Sequence, residues 1–258
     1  MVSNISILFM VISLLIIFLL PVGLIIYFYK KEKISLLAVL VGALVFFIFQ
    51  VATRLPLLNY LAGLEWFQGI AINMVFIAVF VSLSAGIFEE VGRFVGFKYC
   101  LGNILERKNG IAYGIGHGGI EAILLVGFTY INNIAFSIMM INSGTFDKII
   151  VQLGPVTAEI IRDALVKTPP VMFLIGGMER FFSIIIQIAL SLIVLYAVRF
   201  KKTSFLLYAI LIHTLINIPA VMITQHGLSI WISQLYIFII ATAGFLFIKN
   251  SKSLFGEK

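Results

Sequence analysis

The stretch "GIFEEVGRFVGFKYC", residues 86–100, places three charged side chains inside an otherwise apolar segment. Glu89 and Glu90 are adjacent, and Arg93 follows at positions i+4 and i+3, so both carboxylates lie within reach of one guanidinium on a helix. The apolar residues after Arg93 predict that the helix continues to about Cys100. A charge at the centre of a membrane helix costs roughly 2.5–3.5 kcal/mol, so we expect these residues to face a protein interior or a wet cavity.

The composition around this stretch is that of a multi-pass protein of the cell membrane. Of 258 residues, 62% are hydrophobic and 11% charged, and about 20 apolar residues cross the hydrocarbon layer as a helix. We therefore predict an all-α fold, a polytopic bundle of about seven transmembrane helices in the lipid bilayer. The sequence shows no internal repeat, which indicates one transmembrane domain over residues 1–258. The apolar runs lie at about 5–29, 34–52, 69–88, 111–131, 171–198, 204–223 and 228–248.

The positions of the basic residues predict the orientation. Lysines and arginines follow the first, third, fifth and seventh runs, so these ends are expected in the cytoplasm and the N-terminus outside. On the other side, Arg54, Lys148, Arg162 and Lys167 are balanced by four acidic residues: Glu65, Asp147, Glu159 and Asp163. The net charge of +7 is dispersed among helix ends, which argues against nucleic acid as a partner. Residues 143–170 are predicted to form an external amphipathic loop with one or two short helices.

Two further polar pairs lie at helical spacing inside apolar runs. "GIGHGGIEAI" places His117 four residues before Glu121, and "LIHTLINIPA" places His213 four residues before Asn217. Counted from the predicted cytoplasmic helix ends at about 1.5 Å per residue, Glu90 lies about 15 Å deep, His117 about 10 Å and His213 about 16 Å. We therefore predict that three helices bring carboxylates, imidazoles and an amide to one level. Taken singly, each histidine is better explained as a hydrogen-bonded core residue than as a ligand or catalyst.

Two other features of the apolar runs concern the surroundings of these polar residues: a group of glycines and a second charged pair. Glycines surround His117 at positions 114, 116, 118 and 119, which predicts close helix packing or approach of a ligand backbone. Glu179 and Arg180, in "GGMERFF", lie about 30 Å from the predicted inner end of their helix. As a secondary hypothesis, these two residues form either a structural ion pair or an outer gate.

These motifs together resemble the CAAX prenyl endopeptidase and bacteriocin-processing proteases of membranes, most closely their YhfC-type branch. That family has Glu-Glu-x-x-x-Arg, then Phe-x-x-x-His, then His-x-x-x-Asn. This sequence has "EEVGR", then "YGIGH" with Tyr113 in place of phenylalanine, and "HTLIN". The match extends from residue 89 to residue 217, and Glu121 is a carboxylate that the basic pattern lacks.

The resemblance implies hydrolysis of a peptide bond in a peptide or membrane-protein substrate. Glu89 and His117 would activate water, His213 and Asn217 would hydrogen-bond the developing oxyanion, and Arg93 would orient Glu89 or Glu90. The residue types also allow a metal-dependent route, because two imidazoles and a carboxylate are a recognised zinc set. In that route the zinc ligands would be His117, His213 and either Glu89 or Glu121. The sequence does not decide between the two routes, and at this stage we favour the metal-free glutamate route.

Two other classes of function compete with the protease. Intramembrane Glu, His and Arg also build ion paths, so a proton- or ion-coupled transporter is an alternative. The sequence shows neither an inverted repeat nor paired broken helices, which disfavours it. The third alternative is a non-catalytic membrane scaffold in which the polar layer only specifies helix pairing.

Overall fold

The structure is a computed structural model that describes residues 1–141, 146, 148, 154–225, 227 and 229–257. Over these residues it is all helical, without strands, which confirms the predicted fold class. The described residues also include three π-helical segments that connect or extend α-helices: Phe47–Arg54, Gly96–Cys100 and Ala122–Gly127. The α-helices of the described residues are α1 (Asn4–Glu32), α2 (Leu36–Phe46), α3 (Leu55–Ala62), α4 (Glu65–Ala71), α5 (Met74–Val95), α6 (Arg107–Glu121), α7 (Phe128–Ile141), α8 (Pro155–Val166), α9 (Pro170–Arg199), α10 (Ser204–Gln225) and α11 (Ile230–Asn250).

Seven helical segments of the described chain are long and apolar enough to cross a membrane, as predicted. The third continues through its π-helical end to Cys100, which keeps Glu89 and Glu90 inside the span. The second is longer than the predicted run and extends to Ala62. The predicted run ended before Arg54, whereas the described helix continues past it. Arg54 is buried within the second span, where its Nε donates to Ser84 Oγ at 3.0 Å.

The larger of two compact units comprises Gly23–Glu121 and Phe182–Lys258. Its helices approach each other closely at glycines, because glycine has no side chain to separate two backbones. A Cβ on Gly86 of α5 would lie 2.8 Å from the carbonyl oxygen of Ile210 in α10. A Cβ on Gly114 of α6 would lie 2.5 Å from Cα of Ile188 in α9. These contacts bring the backbone of α5 close to that of α10 and the backbone of α6 close to that of α9.

One end of the larger unit is tied together by buried polar contacts. The backbone N–H of Ser35, before α2, donates to Asn109 Oδ1 in α6 at 2.9 Å. Arg107, the first residue of α6, donates from Nε to Ser251 Oγ at 2.8 Å, just after α11. These helix ends all belong to the side that the sequence assigns to the cytoplasm. The orientation itself, with the N-terminus outside, stays a prediction.

The smaller unit comprises Met1–Val22 and Ala122–Phe181. Two hydroxyl groups converge in it on one backbone carbonyl, because Ser13 and Tyr130 both donate to the oxygen of Phe173, at 2.6 and 2.5 Å. The division into units describes packing, and the single transmembrane domain over 1–258 stays a prediction.

The predicted loop 143–170 contains α8 as a short helix. Ala158 and Leu165 are buried, whereas Val156 and Ile160 are exposed on the same helix. Residues 143–145, 147 and 149–153 of that loop lie outside the described residues. The external, interfacial position of the loop stays a prediction.

Candidate metal centre

The centre begins with the acidic pair on α5. Glu89 and Glu90 are buried, and Arg93 on the next turn is fully buried. Arg93 Nη1 donates to Glu90 Oε1, and Nη2 lies 3.7 Å from Glu89 Oε2. One guanidinium therefore partly compensates two carboxylates within the membrane span, as the i, i+3 and i, i+4 spacing predicts.

His117 reaches this pair from α6. Its Nε2 lies 3.0 Å from Glu89 Oε2, and the ring is fully buried. Phe46 of α2 packs edge-on against the imidazole, with ring centroids 5.0 Å apart. A Cβ on Gly42, also in α2, would lie 3.1 Å from the backbone nitrogen of His117. The small residue lets α2 approach α6, and the aromatic ring then fixes the plane of the imidazole.

His213 reaches the pair from α10 and uses its two nitrogens differently. Nδ1 lies 2.6 Å from Glu90 Oε1, whereas Nε2 lies 4.0 Å from Glu89 Oε2. Glu90 therefore orients the ring, and Nε2 faces Glu89. Glu90, His117 and His213, predicted to lie at one level, therefore lie in one cluster of the larger unit: His213 contacts Glu90, and both histidines approach Glu89.

Gln187 of α9 is a member of the cluster that the sequence analysis missed. Its Nε2 donates to Glu121 Oε2 at 2.6 Å and to Glu89 Oε2 at 3.5 Å. Its Oε1 accepts from Arg93 Nη2. A sequence signal existed, because Ser183, Gln187 and Ser191 recur every four residues in the apolar run 181–198 and so share one helical face.

Three further residues were singled out from the sequence: Asn217, Glu179 and Arg180. Asn217 is half-buried one turn after His213, and within the described residues it makes no hydrogen bond to the cluster. Glu179 and Arg180 belong to the smaller unit, where Arg180 Nη2 lies 3.6 Å from Glu179 Oε2. The functional roles of all three stay predictions.

The cluster fits a divalent metal ion by the spacing of its donor atoms. Ligand atoms of Glu89, His117 and Glu121 all lie within 4.8 Å of one another. Zinc bonds to nitrogen and oxygen measure about 2.0–2.2 Å, so two ligand atoms of one tetrahedral site lie about 3.3 Å apart. His117 Nε2 lies 3.0 Å from Glu89 Oε2, close to that value, whereas His213 Nε2 lies 4.0 Å from Glu89 Oε2 and His213 is not one of the three grouped residues.

The net charge of the cluster also favours binding of a divalent metal ion. With neutral imidazoles, the buried carboxylates of Glu89 and Glu90 and the guanidinium of Arg93 leave a formal charge of −1, beside the half-buried carboxylate of Glu121. Burying uncompensated charge in a membrane layer is costly. A divalent cation would neutralise it. The contact of His213 Nδ1 with Glu90 also follows the usual arrangement in which a carboxylate orients a ligating histidine.

Comparison with known proteins agrees with this geometry. The family model described as YhfC intramembrane metalloprotease matches residues 16–237, most of the chain. This chain belongs to the YhfC family. The uncharacterized membrane protein YhfC of Bacillus subtilis (strain 168) is 36% identical over 262 residues, covering 99% of this chain and 100% of the relative. No solved structure matches the chain.

Membership of the YhfC family confirms the resemblance found in "EEVGR", "YGIGH" and "HTLIN". The relative is a membrane protein, and the seven apolar helices agree with a multi-pass protein. In this member of the YhfC family, Tyr113 stacks on His117, with ring centroids 6.2 Å apart. The substitution therefore keeps an aromatic ring beside the histidine.

Proposed function

We propose that this protein is a metal-dependent endopeptidase that hydrolyses peptide bonds within the membrane. One observation carries the proposal: Glu89 lies between His117 Nε2 and His213 Nε2, contributed by three different helices, in a buried layer. Two imidazoles and one carboxylate form a zinc set of the kind used by metallopeptidases, which leaves a position for substrate or water.

In this proposal His117, His213 and Glu89 hold the ion. A zinc ion held by these residues would act as a Lewis acid: it would polarise the scissile carbonyl and make water a stronger nucleophile. Glu90 and Arg93 hold His213 and Glu89 in place through the contacts described above. Their role is to orient the ligands, because Glu90 contacts Nδ1 of His213 and Arg93 contacts the carboxylate of Glu89.

Glu121 is the proposed proton carrier. It lies beside Glu89 and His117 within the same group of donor atoms. A carboxylate in this position takes a proton from the attacking water and delivers it to the departing amine, which peptide hydrolysis requires. Asn217, one turn beyond His213, is proposed to donate its amide N–H to the developing oxyanion when substrate is bound.

The apolar setting of the cluster defines the substrate class. A peptide that reaches a polar layer inside a helical bundle must enter from the lipid or from the membrane surface. The proposed substrate is therefore a membrane-protein segment or a membrane-bound peptide.

The test is metal analysis combined with cleavage of defined substrates. The full chain is purified, reconstituted in liposomes, and incubated with transmembrane peptides whose products are identified by mass spectrometry. We expect about one zinc ion per chain and cleavage that stops on chelation and returns on adding zinc. His117→Ala and His213→Ala should abolish both metal binding and cleavage. Glu106→Gln, at an exposed carboxylate that pairs with Lys108, serves as the control.

The competing functions give different results in the same preparation. Cleavage that is insensitive to chelator and lost in Glu89→Gln would replace the metal route by the metal-free Glu/His route. Solute or proton flux into the liposomes without cleavage would favour a transporter. Loss of thermal stability in the histidine variants, with neither cleavage nor flux in the native chain, would favour a scaffold.

A further inference from the structure

Gln187 contacts three charged members of the cluster at once, although neither the motifs nor the proposed chemistry includes it. It accepts from Arg93 and donates to Glu121 and Glu89. The residue is 6% exposed, so these contacts are made inside the protein. A side chain that bridges one cation and two anions is positioned to control where those groups lie.

The direction of the Gln187 amide is fixed by its surroundings. A guanidinium has only donors, so the amide atom that faces Arg93 must be the acceptor oxygen. The NH2 group is then directed at Glu121 and Glu89, which accept. Arg93 thus sets the polarity of an amide that in turn holds two carboxylates.

The two carboxylates need such a donor between them. Glu89 and Glu121 carry like charges in one group of donor atoms, and like charges in a low-dielectric site repel strongly. Glu121 is also the last residue of α6, where the helix passes into the π-helical segment Ala122–Gly127. The hydrogen bond of 2.6 Å from Gln187 opposes displacement of the Glu121 side chain from Glu89.

We propose that Gln187 is a positioning residue that holds the carboxylate of Glu121 beside Glu89 and His117 and so sets the geometry of the metal centre. The inference rests on the proposed function for the identity of the group that is positioned. It is independent of that function for the contact between Gln187 and Glu121.

The path of the side chain supports this role. A Cβ on Gly118 of α6 would lie 3.2 Å from Gln187 Cβ and 3.3 Å from its Cγ. The stem of Gln187 therefore passes over a glycine one turn before Glu121, which brings the amide to the end of α6.

The test compares two substitutions of similar size in the full chain. Gln187→Met keeps the length and removes the donor, and Gln187→Glu keeps an oxygen toward Arg93 but turns an acceptor toward the two carboxylates. We expect both variants to lower zinc affinity, measured by competition with a chelating dye, by roughly 10–100-fold, because Gln187 also donates to the proposed ligand Glu89 and loss of a supporting contact has that effect at metal sites. Ser191→Ala is the matched control, because Ser191 is buried one turn further along α9 and its hydroxyl donates to the backbone oxygen of Gln187 at 2.8 Å.

A double substitution tests the contact without metal. Exchanging donor and acceptor in Gln187→Glu with Glu121→Gln keeps the net charge and restores a donor–acceptor pair. In metal-free protein this double variant should recover most of the melting temperature lost in Gln187→Glu. Melting losses that simply add, or native zinc affinity in both single variants, would overturn the inference and leave Gln187 as a packing residue. If the native chain binds no zinc, the proposed function fails, and recovery in the double variant still decides whether Gln187 positions Glu121.

Discussion

Glu90 Oε1 lies 2.6 Å from Nδ1 of His213, so the carboxylate fixes which nitrogen of that ring faces the centre. Nε2, on the other side of the ring, is left 4.0 Å from Glu89 Oε2. The adjacent acidic residues of "EEVGR" therefore act in different places, since Glu89 lies among the donor atoms and Glu90 lies behind His213. This division explains physically why two consecutive carboxylates are useful in one helix.

Glu90→Gln tests that division of roles. The amide oxygen can still accept from the His213 ring, but the negative charge that favours an Nδ1–H donor is lost. We expect zinc affinity and cleavage to fall roughly 10–100-fold, while circular dichroism shows the helical content of the native chain. Glu89→Gln should have the larger effect, with zinc absent from the purified protein. Equal, small effects of the two substitutions would contradict the assigned roles.

Arg93→Met tests the electrostatic support of the acidic pair. Arg93 is fully buried between Glu89 and Glu90, and removing one partner from a buried ion pair costs about 3–5 kcal/mol, because the other charge stays buried. We expect a correspondingly large fall in the melting temperature in detergent. Arg107→Met is the control, since Arg107 is also buried but its carboxylate partner, Glu257 at 3.9 Å, is exposed. Equal losses in the two variants would show that buried carboxylates are not the cause.

Tyr113→Phe tests the departure from the family pattern. The Tyr113 ring packs against Phe97, with centroids 4.4 Å apart, but its buried hydroxyl has no hydrogen-bond partner within the described residues. An unsatisfied buried polar group costs about 1–3 kcal/mol, so removing the hydroxyl should leave the melting temperature unchanged or raise it, with cleavage retained. Tyr236→Phe is the matched control, because that hydroxyl donates to Ile216 O at 3.1 Å. A larger loss in Tyr113→Phe than in this control would assign the Tyr113 hydroxyl a role.

The sequence predicted the spans well because a lipid-facing helix must be apolar along its whole length. It also predicted the meeting of Glu90, His117 and His213, since depth follows from the rise per residue once the helix ends are known. It ended the second span before Arg54, because no residue pattern indicates that the helix continues through the π-helical segment Phe47–Arg54 into α3. It missed Gln187 because a neutral amide in an apolar run carries less weight than a charge, although burial makes both equally dependent on partners.

Gly114→Ala tests whether the close approach of α6 and α9 positions the centre. The added methyl carbon would lie 2.5 Å from Cα of Ile188, and a backbone atom cannot move aside as a flexible side chain can. Overpacking of this kind costs about 1–3 kcal/mol. It would also shift α9, and with it Gln187, relative to His117 on α6. We therefore expect a lower melting temperature together with weaker zinc binding. Gly23→Ala is the control, because a Cβ at Gly23 of α1 meets nothing within 4 Å; it should leave zinc binding unchanged and the melting temperature unchanged or higher, since alanine favours a helix over glycine. If Gly114→Ala behaves like Gly23→Ala, the helix contact at Ile188 does not determine the geometry of the centre.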